Sequence, residues 1–133
     1  MPGPPSRILL KLSGEAFKGP EGAFSPGALA RIAGEIAPLA STELAIVVGG
    51  GNVIRGSQSP WLDRVEADTL GMLATVLNAI ALRSYLESNG RTILIQSAID
   101  TEFTEPISPR IARRALQDET IVLFAGGTGS PAR

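Results

Sequence analysis

Ile46-Val47-Val48-Gly49-Gly50-Gly51-Asn52-Val53-Ile54-Arg55-Gly56 is the stretch that decides how the chain is read. An apolar, β-branched run stops at three consecutive glycines, and an arginine follows four residues after the last of them. β-Branched side chains favour a buried strand. Glycine lacks a Cβ, so the backbone turns sharply there and its N–H groups approach a ligand closely. A helix beginning near Asn52 would aim the positive end of its dipole at the same point, which suits an anion. Arg55 carries the planar fork of donors that suits phosphate. The stretch fits equally a plain glycine turn between strand and helix, with Arg55 solvated.

The rest of the composition sets bounds. The 133 residues amount to one ordinary domain or a piece of a larger one. The hydrophobic content of 44% supports a packed core and argues against disorder. A net charge of −1 gives no broad basic field for nucleic acid or an anionic membrane, so a phosphate site must be local. The chain has no cysteine and no histidine. Disulfides, thiolate metal sites, thiol catalysis, imidazole bases and Ser-His-Asp triads are thereby excluded, and a reducing cytoplasm fits. Residues 1–6 are rich in Pro and Gly, lack the apolar core of a signal peptide, and read as a disordered tail. The most apolar helical stretch, Leu70 to Leu82, contains Asn78 and is shorter than the ~20 residues that span a bilayer. It reads as a buried helix.

Around the glycine stretch, local signals set the other elements. Ile8 to Leu12 is a short strand with Lys11 inside it, followed by Ser13-Gly14. Lysine is rarely fully buried without a partner, so Lys11 either reaches the end of the sheet or sits at a frayed strand end. Glu15 to Ala23 reads as loop. Ser25-Pro26 and Ser108-Pro109 are paired helix starts, Ser as N-cap and Pro at the first helical position. The first helix ends near Pro38 and the second near Gln117. Glu43 to Val48 is the strand that enters the glycine turn. A long helical pattern from about Leu62 to Leu86 puts Val65, Leu73, Val76, Leu77 and Ile80 on one apolar face, with Gly71 as a point of break and Asn89-Gly90 as the stop. Thr92 to Gln96 and Thr120 to Phe124 are strands, and a short extended piece lies within Asp100 to Ile107, limited by Pro106.

Strands that alternate with helices predict a three-layer α/β/α fold around a mostly parallel sheet. Three strands run into glycine-containing turns at Ser13-Gly14, Gly49 to Gly51 and Gly126 to Gly129. In an open parallel sheet ligands bind beyond the carboxyl ends of the strands, where all three turns fall, with Lys11 and Arg55 beside two of them. Asp68, early in the long helix, either accepts hydrogen bonds from ligand hydroxyls or caps and solvates the helix; Thr128 and Ser130 either bind phosphate or form the turn. No Walker A sequence is present, because no Gly-Lys-Ser/Thr occurs. Gly127-x-Gly129-x-x-Ala132 matches a loose dinucleotide fingerprint, but Pro131 falls inside it. No metal-ligand cluster stands out.

Four runs in order resemble the bacterial uridylate kinases, which belong to the amino-acid kinase superfold. They are Arg7 to Ala16, Val48-Gly49-Gly50-Gly51-Asn52-x-x-Arg55-Gly56, Asp68-x-x-Gly71-Met72-Leu73-Ala74-Thr75-x-x-Asn78, and Ala125-Gly126-Gly127-Thr128-Gly129-x-Pro131. The resemblance covers Arg7 to Pro131 and separates the chain from carbamate, acetylglutamate and aspartate kinases. It implies transfer of the γ-phosphoryl group of ATP to UMP, with magnesium, a reaction in which the protein mainly positions nucleotides and neutralises charge. Carried over, Lys11, Leu12, Ser13, Gly14, Gly51 and Arg55 face ATP, Lys11 and Arg55 being catalytic. Gly50, Asp68, Thr128, Gly129, Ser130 and Pro131 hold UMP. Gly19, Pro20, Glu21, Gly22, Ala23 and Phe24 match a segment that contacts an allosteric GTP, with Pro20 and Ala23 departing from the commoner residues. A homo-oligomer, hexameric in the family, is implied, with the long helix near a subunit contact.

Members of that family are nearly twice this length. The chain corresponds to their UMP-binding half, 7–133, without the adenine pocket or the aspartate that organises the catalytic lysine. The expectation is therefore little or no turnover by this chain alone, and an exposed edge at its last strand. A non-catalytic nucleotide-binding module that keeps the UMP cradle, and a relative acting on a carboxylate or carbamate, are the competing readings.

Overall fold

The computed structural model describes residues 6–54 and 61–127. Five strands and three helices follow one another as β1 (Arg7–Leu12), α1 (Pro26–Ile36), β2 (Glu43–Val48), α2 (Arg64–Ser88), β3 (Ile93–Ser97), β4 (Glu105–Pro106), α3 (Pro109–Gln117) and β5 (Ile121–Ala125). Both Ser-Pro starts behave as local chemistry dictates. Ser25 Oγ accepts the Ala28 N–H at 3.2 Å and Ser108 Oγ accepts the Ile111 N–H at 3.2 Å, so each hydroxyl satisfies a donor that the first turn leaves orphaned. α2 stops at Asn89, and Gly90 takes the left-handed conformation with φ 86°.

The sheet order is β1-β2-β5-β3-β4, and every pair is parallel. The β2-α2-β3 crossover leaves a gap that β5 fills, pairing Ala45 with Val122 on one side and Leu94 with Val122 on the other. One face of the sheet packs Leu44, Ile46, Ile95, Ile121 and Leu123 against Leu29, Ile32 and Ile36 of α1 and Val76, Ala79, Leu82 and Leu86 of α2. The opposite face packs Ala45 and Val122 against Ala112 and Leu116 of α3. These are the three layers that alternation of strands and helices predicts.

Five expectations are corrected. Gly14–Phe17 forms a short 3-10 helix where a loop was expected, with Phe17 fully buried. No helix begins at Asn52: the Val53 and Ile54 N–H groups both turn back to Gly50 O, and α2 starts only at Arg64. Gly71 does not break α2, which runs unbroken for 25 residues. The expected face of Val65, Leu73, Val76, Leu77 and Ile80 is divided: Val76 is buried and Ile80 packs against the core, but Val65, Leu73 and Leu77 are exposed, and the buried stripe is Ala67, Ala74, Val76, Ala79, Leu82 and Leu86. The last strand is not an edge, because β5 lies between β2 and β3, and the edges are β1 and β4. Pro106 is compatible with β4 for that reason: an edge strand has a side that needs no donor. α2 is long and apolar enough to cross a membrane by length and composition. Its buried stripe against the sheet accounts for that apolar character as core packing.

Candidate functional site

The strand order brings the glycine turns together. β1, β2 and β5 are neighbours in the sheet, so the turns after Leu12, Val48 and Ala125 stand side by side on one rim. The parallel ladder continues one step past the strands, with Gly49 N–H donating to Leu12 O at 2.7 Å. A Cβ built on Gly14 would lie 2.3 Å from Gly51 N and 2.6 Å from Asn52 N, and one on Gly49 would lie 2.9 Å from Gly14 N. The first two turns are thus in backbone-to-backbone contact, an approach that only glycine permits. Gly50 meets α2 in the same way: its Cβ would lie 2.6 Å from Gly71 O and 3.1 Å from Thr75 N. Gly126 and Gly127 end β5 with φ of 86° and 56°, the left-handed region that glycine enters without strain.

Three side chains hold the rim. Asn78, fully buried in α2, donates from Nδ2 to Gly49 O at 2.7 Å and to Asn52 Oδ1 at 2.7 Å. Asn52 answers from Nδ2 to Asn78 Oδ1 at 3.0 Å and to Ala23 O at 2.9 Å. Thr75, one turn before Asn78, accepts the Gly126 N–H at 2.6 Å and donates to Met72 O at 2.6 Å. Both asparagine amides are spent on the protein. The backbone N–H groups of Gly50, Gly51 and Asn52, by contrast, have no acceptor among the described residues. Consecutive N–H groups in a turn form a concave donor nest that suits an oxyanion. The donors this stretch offers are therefore loop amides, and no helix dipole is aimed at it.

Lys11 and Ser13 are exposed at the end of β1, and Lys11 sits opposite Val47 in the ladder. Among the described residues Lys11 makes no ion pair, while Lys18 pairs with Glu15 at 3.1 Å. Asp68 lies on α2 one turn before Gly71, which touches Gly50, so it approaches the same rim by helix geometry. Its carboxylate is partly buried and lies 3.7 Å from the Arg64 guanidinium. The 19–24 segment is a tight turn in which Gly19 and Gly22 exchange backbone hydrogen bonds at 3.1 and 3.0 Å; Glu21 accepts from the Ser25 hydroxyl, and Phe24 is exposed. Ala23 O, bonded to Asn52, ties that segment to the glycine rim.

Lys11, Leu12, Ser13, Gly14, Gly50 and Gly51 are thus brought together, with Asp68 nearby on α2. Arg55, Thr128, Gly129, Ser130 and Pro131 lie outside the described residues, as do residues 1–5 of the expected tail. Sequence reasoning gave no role to Asn52, Thr75 or Asn78. A buried amide inside an apolar helix was the available signal, since such a group is retained only with partners.

Comparison with known proteins agrees with this geometry. A uridylate kinase of Clavibacter michiganensis subsp. michiganensis is 49% identical over 129 residues, covering 94% of this chain and 54% of the relative. One of Methylococcus capsulatus is 47% identical over 131 residues, covering 94% and 55%. UMP kinase from Ureaplasma parvum superposes with a TM-score of 0.89 at 30% identity, covering 97% of this chain and 59% of that one. UMP kinase from Bacillus anthracis gives 0.88 at 36% identity, covering 98% and 57%. The chain spans about half the length of the curated relatives it matches. The Amino acid kinase family matches residues 6–133. A parallel sheet whose glycine turns share one rim, matched over nearly the whole chain, makes this protein a member of the amino acid kinase family.

Proposed function

We propose that the chain is the UMP-binding portion, 7–133, of a uridylate kinase, an enzyme that transfers the γ-phosphoryl group of ATP to UMP and yields UDP for pyrimidine nucleotide synthesis in the cytoplasm. The observation that carries this reading is the run of Gly50, Gly51 and Asn52 N–H groups without an acceptor among the described residues, on the rim shared by β1, β2 and β5, with Lys11 exposed near the end of β1. Phosphoryl transfer asks a protein chiefly to position two nucleotides and neutralise developing charge, so a chain without histidine or cysteine is suited to it. The identity to uridylate kinases points to the same substrate pair.

In this reading Lys11, Leu12, Ser13, Gly14, Gly51 and Arg55 face the ATP phosphates, and the Lys11 ammonium and Arg55 guanidinium offset the charge of the group in flight. Gly50, Asp68, Thr128, Gly129, Ser130 and Pro131 hold UMP, Asp68 by accepting from the ribose hydroxyls. Gly19 to Phe24 form an effector segment for GTP. Magnesium enters with ATP, bridging its phosphates to few protein groups. A homo-oligomer, hexameric as the resemblance implies, is supported by the apolar groove of about 490 Å³ along α2, where Leu70, Leu73, Leu77 and Phe103 are exposed. Neither nucleic acid nor a membrane is a partner in this reading.

Because the chain spans 54% of its relative, we expect UMP binding with little or no turnover by the chain alone. Calorimetry with UMP and with ATP, beside a UDP-forming assay, tests this. UMP binding with weak or absent ATP binding supports the proposal; no UMP binding contradicts it. UMP binding with no turnover even when the partner half is supplied would favour a non-catalytic nucleotide-binding module that keeps the UMP cradle.

A further inference from the structure

We propose that Thr75 and Asn78 are positioning residues, a two-point clamp by which α2 fixes the turns after β5 and β2 at the separation a bound phosphate monoester requires. The inference rests on the UMP reading above for the identity of the ligand, but not for the clamp itself. The two residues stand one helical turn apart and so project from the same face. Asn78 grips the β2 turn through Gly49 O and Asn52. Thr75 grips the β5 turn through the Gly126 N–H. The helix backbone between Gly71 and Thr75 then presses on Gly50, so the turns cannot slide along α2.

The clamp also sorts donors. Thr75 withdraws the Gly126 N–H from any ligand by accepting it, and the Asn52-Asn78 pair occupies all four side-chain N–H bonds of the two amides. What keeps no acceptor among the described residues is the backbone trio of Gly50, Gly51 and Asn52, the first two half-buried and Asn52 buried. An oxyanion arriving there meets donors already oriented, so little ordering cost is left to binding. A hydroxyl at position 75 is sufficient for this role; the methyl group is not needed.

Amide hydrogen exchange on the full chain tests the clamp before any ligand is added. Gly126, buried and hydrogen-bonded, is expected to exchange more slowly than the half-buried Gly50 and Gly51, which have no acceptor among the described residues; a Gly126 amide that exchanges as fast as Gly51 overturns the proposal. UMP affinity is then compared in wild type, T75S and T75V. In metal sites, loss of a group that orients the ligating atoms weakens binding by about 10- to 100-fold, and the same scale is taken for this clamp. T75V is therefore expected to lose affinity on that scale while remaining folded, and T75S to retain most of it. A merely structural threonine would lower the melting temperature of T75V and leave the affinity of the folded protein unchanged, and that result overturns the proposal. If T75V does not fold, T75A takes its place. If wild type binds neither UMP nor inorganic phosphate, the UMP reading fails. The clamp is then decided by exchange alone: T75V must speed Gly126 selectively, and a uniform increase overturns it.

Discussion

Gly14 shows how much of the rim depends on a missing side chain. Its α-carbon leaves no space for a methyl group, because Gly51 N would lie 2.3 Å from it. Forcing a carbon into a packed site typically costs about 1–3 kcal/mol. Gly14→Ala should lose stability on that scale in urea unfolding and weaken UMP binding as the β2 turn is pushed aside. Lys11→Ala is predicted to behave oppositely. The side chain is exposed and makes no ion pair among the described residues, so the urea midpoint should hardly move. In the complete enzyme, turnover should fall sharply while UMP affinity is kept. A Lys11→Ala protein with full turnover would remove Lys11 from the chemistry. The glycines and Lys11 were legible in sequence because their constraint is local: a turn needs residues without Cβ, and a lone cation in an apolar strand needs a reason. Asn52 was misread as a helix start because its side chain is committed to Asn78, 26 residues away, a partner that no local pattern reveals.

At the scale of elements, one amide pins the start of α3, whose Ala112 and Leu116 pack on the sheet. Gln96, fully buried at the end of β3, donates to Ser108 O at 3.2 Å and accepts the Ser108 N–H at 3.1 Å, while the Ser108 hydroxyl caps the helix. Removing a cap hydroxyl costs about 1 kcal/mol. Ser108→Ala should show that loss in thermal or urea unfolding and leave UMP affinity unchanged, since α3 lies on the sheet face away from α2. The helix starts at Ser25-Pro26 and Ser108-Pro109 were readable because capping is a property of four adjacent residues. Strand order was not. Alternation of strands and helices gives a parallel sheet, but nothing in the run Ile121 to Ala125 says that it inserts between β2 and β3. The expectation of an exposed last strand failed on that point. Gly71 did not break α2 because one glycine costs a helix only about 1 kcal/mol, less than the packing of α2 on the sheet supplies.

For the molecule as a whole, the face of α2 that was expected in the core is its most apolar exposed surface. Leu70, Leu73, Leu77, Val53 and Phe103 line or flank one groove, and periodicity alone could not tell a face that packs on the sheet from one left open to a second chain. Leu73→Glu is predicted to lower the solution mass measured by analytical ultracentrifugation while the thermal transition is retained. A wild-type chain that is monomeric at all concentrations would contradict assembly through this face. In the proposed reading, phosphate is gripped by the turns that β1, β2 and β5 bring to one rim. The most direct measurement is a ¹H–¹⁵N correlation spectrum of the chain titrated with UMP. The Gly50 amide and Asp68, which hold UMP in this reading, should shift first and most, with the abutting Gly51, Asn52 and Gly14 amides following. Shifts confined to the opposite ends of the strands, around Thr92 and Thr120, or no shifts at all, would contradict it.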